Sequence, residues 1–173
     1  MSEYRQAILA IPGVGGVQVY GANAYNGGGT VLCSIISDEY GAASSALVAT
    51  VQETICPYEA DTSNPSPNGY GIAPIGAAVK IVSATELPIN ITADIDFLGN
   101  VENGIATYGD EIKAAIGEYI TTVAQDWGKQ IQAHQVAYPV TVYVARIIYA
   151  ILSVDAVANV RNVTLNGGTT DLN

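Results

Sequence analysis

Between Ile89 and Phe97 apolar and polar residues alternate, with Ile89, Ile91, Ala93, Ile95 and Phe97 set against Asn90, Thr92, Asp94 and Asp96. A period of two over this length predicts a strand with one buried and one wet face. Upstream, Ala77–Ala84 predicts a shorter strand with Val79 and Ile81 as its apolar alternates, and Thr85-Glu86-Leu87-Pro88 separates the two runs. Pro88 has no N–H to give a ladder and belongs at a strand start or edge. A domain boundary therefore falls here, with residues 1–86 forming one domain and 87–173 a second.

The first domain opens with a short helix capped by Ser2, whose apolar face is Tyr4, Ala7, Ile8 and Ile11, and Pro12-Gly13 ends it. Val14–Tyr20 reads as a strand, Gly21–Gly29 as a loop, and Thr30–Ser37 as a central strand covered on both faces, because its apolar run is almost continuous. A helix after Ser44 carries Leu47, Val48, Val51 and Ile55 on one stripe and stops at Pro57. Glu59–Gly71, with its Asn-Pro and Pro-Asn-Gly clusters, is a long surface loop.

In the second domain the alternating strand is followed by a turn at Asn100–Gly104 and a helix capped by Thr107, with Asp110 three residues on. Its stripe is Ile112, Ile116, Tyr119, Ile120, Val123 and Trp127, and it ends near Gly128. Lys129–Pro139 reads as loop and Val140–Val142 as a short strand. A second helix then shows Val144, Ile147, Ile148 and Ile151, and a strand runs through Leu165 into a glycine turn. An offset of 143 residues places Ala7-Ile8-Leu9 on Ala150-Ile151-Leu152, which predicts a similar helix-turn-strand corner in both domains. The expected fold class is α+β: two small domains, each a short mixed or antiparallel sheet packed with helices.

Composition narrows the function. With 49 % hydrophobic and 13 % charged residues the chain has enough apolar material for packed cores. A net charge of -10 and six scattered basic residues exclude a nucleic-acid partner, since phosphate binding needs clustered Lys and Arg. No apolar run approaches the ~20 residues of a membrane span. The start, Met1-Ser2-Glu3-Tyr4-Arg5, lacks a signal peptide's basic and apolar regions. Cys33 lies in an apolar strand and Cys56 at a helix end, so both read as small buried hydrophobes rather than a disulfide or metal pair.

Candidate chemistry is sparse. Gly13-x-Gly15-Gly16 precedes a strand instead of opening a helix, so it is a turn and not a phosphate loop. Gly27-Gly28-Gly29 reads as a hairpin tip. Asp94 and Asp96 lie roughly 7 Å apart on one strand face. They have the spacing of a cation or hydrolytic pair, but alternation puts them on a solvated face without the pocket such chemistry needs. His134 has no nucleophile or orienting acid placed by motif, and the Asn-x-Thr triplets at Asn90 and Asn162 fall on strands. No catalytic, cofactor-binding or metal residue is assigned, and no cofactor is expected. Eleven tyrosines against one Phe and one Trp point instead to contact surfaces, because Tyr buries area while keeping a polar tip. Tyr25, Tyr40, Tyr58, Tyr70 and Tyr138 fall in or beside loops and are the expected interface residues.

Ala73-Pro74-Ile75-Gly76, Val79-Lys80-Ile81-Val82 and Thr85-Glu86-Leu87-Pro88, followed by the alternating strand, resemble the phage baseplate J-like family, the tail-baseplate wedge proteins of contractile phages and prophages. The turn and strand Asn26–Leu32, the helix Ala43–Ile55 and the segment Val160–Gly168 agree with it. The resemblance runs over nearly all of the chain and covers the carboxy-terminal half of the family's pattern, its amino-terminal half being absent. It implies a structural, non-enzymatic subunit that assembles with other wedge and hub proteins and with copies of itself in the ring. The implied location is the virion tail baseplate, after assembly in the host cytoplasm. The alternative is a small carbohydrate- or ligand-binding module that stacks its ligand on the loop tyrosines. Tyrosines ringing one groove would mark the second reading, and tyrosines spread over two opposed surfaces the first.

Overall fold

Local spacing sets the elements. The computed structural model describes residues 2–21, 25–59, 64–128 and 140–173. In chain order they form α1 (Ser2–Leu9), β1 (Val14–Tyr20), β2 (Thr30–Ser37), α2 (Ser45–Ile55), β3 (Ala78–Ser83), β4 (Ile91–Phe97), α3 (Gly104–Trp127), α4 (Val144–Leu152) and β5 (Val157–Leu165). The class is α+β, with a three-stranded mixed sheet and a two-stranded antiparallel sheet. Two compact units result. One holds the described residues of 1–86 with 125–128, the other those of 87–124 and 140–173.

In the first unit the strand order is β1-β2-β3, with β1 antiparallel and β3 parallel to the central β2. Parallel neighbours cannot be joined by a hairpin, and α2 lies in the crossover between them. Ser44 caps α2, its Oγ accepting from Leu47 N at 3.2 Å. Ile8, Val17, Cys33, Ile35, Val51 and Ile55 are fully buried at the centre of the core.

The edge of β3 is closed by side chains. Gln52, inside α2 and buried, donates from Nε2 to Val79 O (2.9 Å) and to Cys56 O, and its Oε1 accepts from Ile81 N (2.8 Å). Cys56 Sγ accepts from Val79 N at 3.4 Å and donates to Ser66 O at 3.1 Å. One amide and one thiol thus replace a neighbouring strand, which removes a docking template. On β1, Arg5 Nη1 donates to Val17 O (2.8 Å), and the buried Gln18 donates to Trp127 O (3.1 Å). Gly15 sits at a bulge where an added Cβ would lie 2.2 Å from Ser37 O, so the glycine cluster is a turn and a bulge, as its place before a strand predicts.

The second unit pairs β4 with β5. Buried positions in β5 are Val157, Val160, Val163 and Leu165, a spacing of three and then two. Two register shifts explain it. Each adds one residue to β5, at 158 and 162–163, so that successive valines return to the core face. Asn162 takes φ 51 at the second, a conformation Asn tolerates better than most residues. Ile147, Ile151 and Val154 complete this core. A four-residue link joins α1 to β1 and α4 to β5, giving both units the same helix-turn-strand corner.

Two expectations are corrected. Thr107 does not cap α3: it lies inside the first turn, its amide donating to Asn103 O (3.1 Å). The helix starts earlier because Asn103 adopts φ 53 and Gly104 passes the Phe97 ring, which an added Cβ would meet at 2.4 Å. Val140–Val142 is not a strand but a single bridge, Val142 to Leu172. That bridge brings up Asp171, whose Oδ1 accepts from Val144 N (2.8 Å) and serves the start of α4. The Ser2 cap, and the loop at Lys129–Pro139 with His134, lie outside the described side chains and residues.

Replacing Gln52 by Leu keeps the volume and strands Val79 O and Ile81 N without partners. We expect a loss of about 2–4 kcal/mol in urea unfolding, the cost of buried unsatisfied groups. A loss below the level of ordinary surface substitutions would show that the edge closure contributes little.

The segment Thr85–Pro88 is exposed and lacks regular structure. We propose that it joins two folding domains, 1–86 and 87–173, and limited proteolysis should then make its first cut there. Mass spectrometry of the early fragments checks this, and first cuts inside α2 or β4 would contradict it.

Candidate interaction surface

Among the described residues of the first unit, the large exposed apolar side chains other than Leu9 lie on the segment that returns from α2 to β3. A helix leaves its last carbonyls without partners, and here Ile72 N donates to Thr54 O (3.2 Å) and Ala73 N to Ile55 O (2.8 Å). Gly71 permits that approach, since a Cβ would lie 2.5 Å from Ile55 O. Gly76 N donates to Pro67 O (2.7 Å) and Ala77 N to Pro74 O (3.1 Å), fixing the far end. The backbone is held, yet Tyr70, Ile72 and Ile75 are 71, 56 and 84 % exposed. Large apolar groups presented on a fixed backbone need little further ordering to bind, which is the arrangement of a contact site.

The tyrosines expected at the interface divide. Tyr70 belongs to this exposed cluster. Tyr25 is half-buried, donates its hydroxyl to Ala78 O (2.9 Å), and lies under Lys80, whose Nζ is 5.5 Å from the ring centroid. Burial, and then the nearby Cys56 and Tyr58, push its hydroxyl pKa up. Tyr58 is half-buried beside Pro65, and the half-buried Tyr40 sits in a turn at φ 64. Tyr138 lies outside the described residues. Ile72 and Ile75 lie in a loop, where an apolar residue carries no periodic mark of its exposure in the sequence.

The second unit holds an open groove of about 680 Å³ between β4 and α3. Its walls are mainly aliphatic, with Ile91, Ala93 and Ile95 on one side and Ile105, Ile112 and Ile116 on the other, and among the described residues no tyrosine lines it.

Asp94 and Asp96 act as cross-strand partners. Asn162 Nδ2 donates to Asp94 Oδ2 (2.6 Å), and Arg161 Nη2 pairs with Asp96 Oδ1 (2.9 Å). Asn90 N is held by Asn166 Oδ1 (2.8 Å). Among the described residues no group of three or more His, Cys, Asp or Glu is placed to hold a metal ion, and no helix is long and apolar enough to cross a membrane.

These features define an α+β module whose first unit displays apolar side chains beside a β3 edge closed by Gln52 and Cys56. Residues 1–83 match the family model of the baseplate J-like central domain, the family the sequence resembles. No curated protein matches the chain. The matched span ends with β3 and takes in the whole three-stranded sheet. The match is thus to the family's central domain over 1–83, a shorter span than the resemblance.

Cys33 is wholly buried, and burial pushes its thiol from the ordinary 9.0 up to about 12. Because the folded value is raised, the thiol's contribution to stability is intact below about pH 9 and is lost as pH rises toward about 12. The folded protein should resist alkylation at mildly alkaline pH and lose stability above about pH 9. Rapid modification of Cys33 without unfolding would contradict its burial.

Proposed function

We propose that this chain is a wedge subunit of a phage or prophage contractile-tail baseplate, acting through protein–protein assembly and not through catalysis. The observation that carries this reading is the fixed loop bearing Tyr70, Ile72 and Ile75, exposed within a domain that matches the baseplate J-like family. Tyr70 is the central tyrosine of the contact surface, with Tyr25, Tyr40 and Tyr58 as partly buried contributors. The partners are other wedge and hub proteins and neighbouring copies in the ring, and the location is the tail baseplate, assembled in the host cytoplasm. The groove without tyrosines gives no support to a glycan-stacking module.

The charge of -10 makes isolated copies repel, and salt screens that repulsion with a length of about 8 Å at physiological ionic strength. Sedimentation velocity should find monomer or weak dimer at low salt and larger species as salt and concentration rise. The double variant Ile72→Ser, Ile75→Ser should stay monomeric with stability changed by no more than about 0.5 kcal/mol. Mass spectrometry of tail particles from the source element should find the chain in the baseplate fraction. A strictly monomeric chain absent from such particles would overturn the reading.

A further inference from the structure

The unpaired side of β4 differs from the closed edge of β3. Asn166 N donates to Asn90 O at one end of β4, and Leu98 N donates to Ala156 O at the other. Both bulges lie on β5, so β4 stays regular, and its even-numbered residues direct their backbone groups toward β5. The N–H and C=O of Ile91, Ala93 and Ile95 therefore face away from β5. Among the described residues β4 pairs only with β5, and no backbone bond from another element reaches those three residues. Their side chains line the groove beneath α3.

The helix over this groove is under-covered. Of the 24 residues of α3 only Gly104 and Ile112 are buried, and Ile105, at the groove wall, is 62 % exposed. Gly109 and Gly117 of α3 also line the groove. A Cβ at Gly117 would meet nothing within 4 Å, and one at Gly109 only Ile105 Cγ2 at 3.9 Å. Glycine inside a helix weakens it relative to alanine, and these two are not required by the packing of this chain.

We propose that an extended segment of another protein adds to the free edge of β4 as a third strand, placing alternate apolar side chains in the groove under α3. A helix in the groove would leave the outward amides and carbonyls of Ile91, Ala93 and Ile95 unpaired in an apolar site, whereas a strand satisfies them. Charge selects the segment. The wet face of β4 carries Thr92, Asp94 and Asp96, and the exposed Asp94 is held by the neutral amide of Asn162. The incoming strand therefore bears Lys or Arg at its alternate positions. A second copy of this chain, at -10, is the wrong partner. The proposal stands on the second unit and is independent of the baseplate reading, whose match lies in residues 1–83.

The test uses the full chain and a blocked synthetic peptide alternating valine with lysine, long enough to span β4, with binding read by fluorescence anisotropy. The peptide should bind, and more weakly as salt rises. N-methylating the alternate amides that would face β4 should weaken binding by about tenfold or more, through the loss of several hydrogen bonds. Gly109→Leu and Gly117→Leu fill the groove without touching the core, and should lose binding with the thermal midpoint unchanged or raised. Equal binding by the N-methylated peptide, or parent-like binding by both filled variants, would overturn the proposal.

Discussion

The side-chain amide of Gln52 fixes the first unit. It presents one donor and one acceptor to β3 as a neighbouring strand would, and it does so from a helix. Because the site is buried, the network is stable only when all its members are paired, so α2 has one position along β3. That position sets the rest. Once α2 is seated, the carbonyls of Thr54 and Ile55 lie where Ile72 and Ala73 cap them, and the returning chain holds Ile75 outward. An interior hydrogen bond thus determines where an exposed side chain stands.

What was legible in the sequence was what local spacing encodes. The alternation ending at Phe97, the helix after Ser44, the stop at Pro57 and the continuous apolar run of β2 each depend on near neighbours, and each appears in its expected place. What was not legible depends on residues distant in the chain. Val157, Val160 and Val163 have a spacing that fits no regular strand, and only pairing with β4 shows that bulges restore the face. Thr107 has the local chemistry of a cap, but Phe97 lies against the chain at Gly104 and the helix begins there instead. Gln52 reads as a polar residue beside an apolar stripe until Val79 and Ile81 are brought to it.

The candidate surface shows the same limit. Tyrosine abundance pointed to contact, and one of the loop tyrosines, Tyr70, is well exposed. Tyr25 has its hydroxyl committed to Ala78 O, so its polar tip serves this fold. Ile75 belongs to the Ala73–Gly76 run that carried the family resemblance, yet its exposure follows from the capping of α2, which residue type does not announce.

The two units treat their apolar surfaces in opposite ways. In the first, a buried glutamine, a thiol and an arginine satisfy the outer backbone groups of Val79 and Val17 and the amide of Ile81, which leaves side chains on a fixed loop as its exposed apolar groups. In the second, two strands lie beneath a long helix that they do not cover. A pair of strands is marginal on its own, and here packing against α4 supports it. Closing an edge from within isolates a sheet, whereas leaving it open makes backbone pairing available to whatever binds. The β3 edge is closed by side chains of its own unit, and the free edge of β4 keeps backbone groups for the added strand proposed here. At that edge the acidic charge favours a basic strand over one from another copy of the chain.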